Sequence, residues 1–452
     1  MIICQSKFFT LNYYFHVTVS SSGITAGALF FWTSPAIPLL ISTHGVTPKE
    51  ASYLTSIPCL AFIISSPLHS VLLHQFGPKL ILTFLSLLEI LIWSIMVFTN
   101  EIYVLYFTRI LCGVCVSGFL IIAPVYVAEI STPKVRSLWG NLLALSLCMG
   151  QLSVNGIGNY CTLTITAIVF LVVQAIISPL HLYMPNSPYY LMMNKQPDEA
   201  YKTLEYLKGG KDVKEEYSDM EQHISDCEYY TMNLQILFTG INRRALFICA
   251  FVKVVQEFSG ITIIGLYTQS IFQEVGEDFN KGQSAMLYTG TLTFCTLVGL
   301  IIKHNIGTRP AMVVSAFGCS IALFIEAVYF YFRATQEYLR FSWVPIFGLI
   351  IYVVFYSLGL VFVPMIIIGE LFTVDVKPTA ACVINMLYIF LVMVTSEFFY
   401  IFLTSSAIYI PFAVFGMCSL AGALTSYFVI PETNKKTLKQ IQEELESSSY
   451  RK

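Results

Sequence analysis

The chain has 452 residues, 56 % of them hydrophobic and only 12 % charged, with a formal net charge of −2. A soluble domain carries roughly a quarter charged residues, so this composition excludes an ordinary water-soluble protein, and the near-neutral balance argues against a nucleic-acid partner. A membrane-crossing helix needs about 20 apolar residues, and residues 80–98, 162–183, 380–396 and 408–430 each come close to that with at most one charge.

Taken in chain order, the first segment, Met1 to Gly27, has one basic residue, Lys7, and no clear small-residue cleavage site. It is expected to run into the first span and to stay in the mature protein. Hydropathy predicts twelve spans, at about 18–42, 53–74, 80–99, 103–128, 138–160, 162–183, 244–272, 284–303, 310–332, 341–369, 380–403 and 408–430. One long polar stretch, Pro185 to Arg244, separates two sets of six. The predicted organisation is an N-terminal six-helix bundle (1–184), a cytoplasmic linker with short helices (185–243), a C-terminal six-helix bundle (244–430) and a cytoplasmic tail (431–452).

Lys and Arg in the loops set orientation. With the N-terminus in the cytoplasm, most of the 25 basic residues fall inside, among them Lys79, Lys134, Arg136, Lys303, Arg309 and Lys377 in short loops. Lys49, Lys281, Arg333 and Arg340 fall outside, and Arg109 and Lys253 lie within spans. Both termini are therefore expected in the cytoplasm. The twelve cysteines, including Cys112 and Cys115 on one helix, read as buried apolar thiols. No nucleotide, metal or other cofactor motif stands out, so no cofactor is expected and the chain does not read as an enzyme.

The two halves repeat each other. His74-x-x-Gly77-x-Lys79 returns as His304-x-x-Gly307-x-Arg309. Glu129 followed by Arg136 returns as Glu370 followed by Lys377, and Pro185-Asn186-Ser187-Pro188 is answered by Pro431-Glu432-Thr433-Asn434. Parallel six-span repeats about an axis along the membrane normal are the plan of the major facilitator fold, with the substrate site at the midplane between them.

The chain resembles the sugar porters of that superfamily, and among them the insect facilitated trehalose transporters. The likeness rests on Pro124-Val125-Tyr126-Val127-Ala128-Glu129, Gln256-Glu257-Phe258-Ser259-Gly260-Ile261, Pro431-Glu432-Thr433, and Trp32-Thr33-Ser34-Pro35 in the first span. There are departures. His74 and His304 replace loop acids, Asn186 replaces a third, Glu257 replaces a second Gln, and Thr262 replaces an Asn. Pro364-Met365 and Tyr388-Ile389 stand where the family has Trp-containing motifs.

The resemblance implies facilitative carriage of a sugar of the trehalose or hexose class by alternating access, as a uniporter in the cell membrane, with lipid and sugar as partners and a monomeric carrier. Uniport is expected because Thr33 stands where proton-coupled relatives place an Asp. The substrate site it implies contains Gln256, Glu257, Thr262, Thr33, Tyr388 and Met365. Gln151 is added on residue grounds, two turns along one face from Ala144, where glucose carriers place a Gln. Helix–helix hydrogen bonding stands as the alternative role for Gln151 and Asn155. The implied cytoplasmic gate contains Glu129, Glu370 and Glu432 against Lys79, Arg136, Arg309 and Lys377. Charges inside spans, Glu89, Glu257, Glu326, Glu397 and Lys253, are functional candidates by default, and Lys253 and Glu257, at i and i+4, are expected to meet on one face. Gly113 and Gly118 are expected to admit close helix packing. Two other readings remain open: a non-transporting sugar sensor, and a carrier of a different small polar solute.

Overall fold

The computed structural model describes residues 2–131, 133–208, 213–226, 234–276, 280–302, 307–335, 343–372, 376–405 and 407–432, and these form helices and turns with no strand among them. Nine helical stretches in the described residues are long and apolar enough to cross a membrane. One of these, Pro48–Phe98, holds two passes that reverse at Gly77. Two more passes are richer in polar residues. The fifth, Pro133–Tyr160, carries Gln151, Asn155 and Asn159. The seventh is built from Gly240–Glu257, Ile261–Leu266 and Thr268–Val275, and carries Lys253, Gln256 and Glu257. The described helices thus make twelve passes. Phe98, Phe428, Ile301 and Ile64 are largely exposed on their outer surface, more apolar area than water tolerates and what a bilayer requires.

Two boundaries differ from the sequence expectation. The first span is helical from Ile2 to Phe31 and resumes at Thr33–His44, rather than starting near residue 18. Its polar beginning contains no Gly or Pro to stop the helix. The seventh span, expected to be continuous over 244–272, breaks at Gly260, whose φ of 85° is left-handed and whose missing Cβ leaves room for the Phe415 ring.

Four short helices, Pro188–Met193, Pro197–Leu207, Lys214–Asp226 and Leu234–Leu237, link the sixth and seventh spans. Leu191, Ala200 and Met220 give the first three a small core of their own, and Lys208 pairs with Glu216 at 2.9 Å. This segment marks one face of the molecule, called here the linker face. Tyr206 packs 6.4 Å from Phe15 of the first span. Tyr190 donates its hydroxyl to Gln75 O at 3.2 Å and lays its ring against Gly77. Gly77 answers two demands at once. Its φ is 74°, and a Cβ there would sit 2.8 Å from the Tyr190 ring. The capping box between Thr47 and Glu50 starts the second span on the opposite face, and the Thr47 hydrogen bonds hold the Glu50 carboxyl below the usual carboxylate range.

Within the N-terminal six passes the backbones of the first and fifth spans touch. A Cβ at Gly150 would lie 2.1 Å from Ile24 O, and one at Gly27 would lie 2.5 Å from Leu147 O. Gly113 is pressed as closely against Pro58 O of the second span, as its residue type led one to expect. Gly118 meets side chains instead, Leu85 and His69.

Candidate functional site

Lys253, Gln256, Glu257, Thr262, Tyr356, Tyr388 and Thr395 of the second half form one polar network. Gln256 is 7 % exposed. Its Nε2 donates to the Tyr356 hydroxyl at 3.1 Å and to Leu360 O at 2.8 Å, and its Oε1 accepts from Lys253 Nζ at 3.0 Å. Glu257 is fully buried. One carboxylate oxygen accepts from Thr262 at 2.8 Å and the other from Thr395 at 3.0 Å. Thr262 also shares a 2.7 Å hydrogen bond with the Tyr388 hydroxyl. Lys253 lies 4.5 Å from the centre of the Tyr388 ring, a cation–π distance.

Local structure explains the convergence. Lys253, Gln256 and Glu257 share the last turn before the break at Gly260, and Thr262 lies in the first turn after it. The tenth span is itself interrupted between Leu358 and Val363, which frees the Leu360 carbonyl from helix bonding and offers it to Gln256. One expectation fails here. Lys253 and Glu257 do not pair: among the described residues no ion pair joins them. Two threonine hydroxyls satisfy the carboxylate, while one amide oxygen and a ring face stand against the ammonium, so local geometry wins over the i, i+4 spacing.

Gln151 and Asn155 part company. Asn155 Oδ1 accepts from Ser34 at 2.7 Å and its Nδ2 donates to Gln151 O, tying the fifth span to the first. The Gln151 side chain, 3 % exposed, makes no such tie; its Nε2 stands 2.8 Å from where a Cβ on Gly265 of the seventh span would be. Thr33 is buried with its hydroxyl unpartnered among the described residues. Met365 stands apart from the network and is 45 % exposed.

On the face opposite the linker a second polar cluster spans the two halves. Thr55 of the second span meets the Tyr267 hydroxyl at 2.8 Å and accepts from Ser396 at 3.0 Å, and Tyr267 lies 3.3 Å from Ser396. Ser56 donates to Glu397 beside them. Thr55, Tyr267 and Ser396 were not read from the sequence. The available signal was a run of hydroxyls, Thr395-Ser396, ahead of an acid in an apolar span. Tyr356 was missed too, although Tyr352 and Tyr356 stand one turn apart.

The charged residues near the linker face engage their own half in the contacts described. Glu432 accepts from the backbone N–H groups of Thr308 (3.0 Å) and Arg309 (3.3 Å), at the start of the ninth span, where a carboxylate complements the helix dipole. Arg309 donates to Ile430 O at 2.7 Å and lies 5.8 Å from the Tyr427 ring. Lys377 Nζ lies beside Gly369, the residue before Glu370. Glu129, with Ser131, Tyr189, Leu204, Lys208 and Glu216, lines a small cavity under the linker helices. Lys79 is half-buried after the turn at Gly77. The side chain of Arg136 lies outside the described residues, as do Lys303, His304 and everything after Glu432. Asn186, the counterpart of Glu432, is exposed.

Residues 8–445 match the family model described as sugar (and other) transporter. The facilitated trehalose transporter of Apis mellifera ligustica is 26 % identical over 448 residues, covering 96 % of this chain and 88 % of its own. The sugar transporter ERD6-like 7 of Arabidopsis thaliana is 25 % identical over 421 residues, covering 92 % and 90 %. Among solved structures, the proton:xylose symporter bound to 6-bromo-6-deoxy-D-glucose superposes with a TM-score of 0.78 at 16 % identity, covering 96 % of this chain and 99 % of that one. The inward open xylose transporter from E. coli superposes with a TM-score of 0.77, at the same identity and coverage. The superpositions establish the fold, and with the family match over nearly the whole length they show that this chain belongs to the sugar (and other) transporter family, a multi-pass membrane protein of the major facilitator fold.

Proposed function

We propose that the protein carries a sugar or closely similar polyol across the cell membrane by alternating access, as a monomeric uniporter with the linker face in the cytoplasm. The observation that carries this reading is the pairing of two features. A buried set of amides and hydroxyls, Gln151, Gln256, Thr262, Tyr356 and Tyr388, is suited to a solute made of hydroxyls. A separate cluster of hydroxyl bonds, Thr55–Tyr267–Ser396, joins the halves on the far face and is weak enough to break in each cycle. The relatives' names, trehalose and other sugar transporters, support the sugar class. Uptake of labelled sugars into cells lacking their own carriers tests it. Surface protein that moves no sugar, polyol or sugar acid would sink the reading in favour of a non-transporting sensor.

The far-face cluster gives a first expected result. A net hydrogen bond is worth about 0.5–1.5 kcal/mol, so Tyr267→Phe should raise the population open on that face by roughly 2- to 10-fold. Cys59 is fully buried one turn below Thr55, to whose carbonyl it donates. Its labelling by a membrane-impermeant maleimide, located by mass spectrometry, should accelerate accordingly. An unchanged rate would show that the cluster does not hold the far face shut.

Uniport gives a second. Thr33 cannot ionise, and Glu257 already accepts from two hydroxyls. Substrate addition to cells in weak buffer should leave the medium pH unchanged. Alkalinisation that disappears in Glu257→Gln would overturn uniport.

A further inference from the structure

Lys253 is the feature that a neutral sugar does not explain. It is 5 % exposed and sits within a span. Its ammonium has three N–H bonds to place. One goes to Gln256 Oε1, and the face of the Tyr388 ring accepts the charge. Among the described residues no carboxylate stands at ion-pair distance from it. The nearest acid in sequence, Glu257, has both oxygens taken by Thr262 and Thr395. A buried cation in a membrane span is costly and marks a substrate path or a missing partner. Orienting Gln256 would need only a hydroxyl or amide in its place.

The neighbouring side chains say what the missing partner would be attached to. Around the ammonium stand the Gln256 amide, the Tyr388 ring and the Thr262–Tyr388 hydroxyl pair. The Gln151 amide lies next to Gly265 of the seventh span and makes no side-chain hydrogen bond among the described residues. These are groups that recognise hydroxyls. A charge-assisted hydrogen bond from an ammonium to a carboxylate is roughly twice as strong as one to a neutral hydroxyl. Resting on the sugar-carrier reading, we propose that the pocket is selective for a sugar acid: a monosaccharide whose carboxylate sits on Lys253 while its hydroxyls meet Gln151 and the Thr262–Tyr388 pair.

The purified full-length chain in proteoliposomes decides this by counterflow with labelled D-glucuronate and D-glucose. The wild type should prefer glucuronate by about 10-fold or more. Lys253→Gln should weaken glucuronate by about 10- to 100-fold and glucose by less than about threefold, while Lys253→Arg keeps the preference. Each variant is checked for a monodisperse folded peak in detergent. If Lys253→Gln does not fold, the wild-type ratio and Lys253→Arg still decide. A wild type that exchanges glucose as well as or better than glucuronate overturns the inference and leaves the sugar-carrier reading standing. An equal loss of both solutes in Lys253→Gln also overturns it, since Lys253 then acts only by orienting Gln256. Exchange of neither solute by folded wild type overturns the inference, and the uptake panel of labelled sugars then decides the sugar-carrier reading separately.

Discussion

Gly150→Val should abolish recovery of folded protein. A Cβ at this position falls 2.1 Å from Ile24 O and 2.6 Å from Ala28 N, both backbone atoms of the facing helix. Neither can rotate away, so the first and fifth spans must separate along their length. Overpacking costs about 1–3 kcal/mol where side chains give way, and more where they cannot. The separation also breaks the Ser34–Asn155 bond. Gly150→Ala should lower the melting temperature in detergent measurably, and the valine variant should elute as aggregate. Gly140→Ala is the matched comparison: among the described residues nothing lies within 4 Å of its added Cβ, and alanine is the better helix former by about 1 kcal/mol. A Gly150→Ala protein that melts with the wild type would show that these backbones are not in contact.

Gln151→Ala should weaken apparent substrate affinity by about 5- to 150-fold, the range of a buried hydroxyl left unpaired at about 1–3 kcal/mol. Surface expression should hold, because among the described residues no hydrogen bond of the Gln151 side chain joins two helices. Gln256→Ala should behave differently. It removes bonds to Tyr356, Leu360 and Lys253, so folded yield should fall along with affinity. Leu152→Ala, next to Gln151 and about 100° around the helix, should leave affinity nearly unchanged. Affinity normalised to surface protein separates these cases. Unchanged affinity in both Gln151→Ala and Gln256→Ala would remove the pocket from the account.

The contrast between these variants shows where sequence reading ends. The twelve passes are legible because about 20 apolar residues per pass is a local property. The seventh-span break is not, since Ser259-Gly260 states only that a turn is permitted there. What makes the break is the Phe415 ring from the twelfth span occupying the space of the absent Cβ. The contact of the first and fifth spans was not read from the sequence: Gly23-x-x-x-Gly27 has a small-residue spacing that favours close approach, yet it does not say which span faces it. Site residues divide the same way. Gln256, Thr262 and Tyr388 came from a family resemblance and Gln151 from spacing. Tyr356 and Thr395 join the network through the path of the tenth and eleventh spans. The gate residues were read as pairing when the two halves close on the linker face. The described contacts add a second role for one of them: Glu432 bonds the first N–H groups of the ninth span, because a helix start presents unsatisfied donors wherever the chain passes it.

The buried network also bears on how the chain is made. The first pass of the second half enters the membrane carrying Lys253, Gln256 and Glu257, and charged groups at a helix centre cost about 2.5–3.5 kcal/mol each on insertion scales. The groups that satisfy them come much later: Tyr356 is 100 residues beyond Gln256, and Thr395 is 138 beyond Glu257. Until the tenth and eleventh have emerged, this helix has only its own Lys253–Gln256 and Thr262–Glu257 bonds to offset that cost. It must wait beside the insertion machinery, at the water-lined boundary rather than in lipid, while its successors enter ahead of it. From Lys253 onward the order in which groups find their partners departs from the order of synthesis.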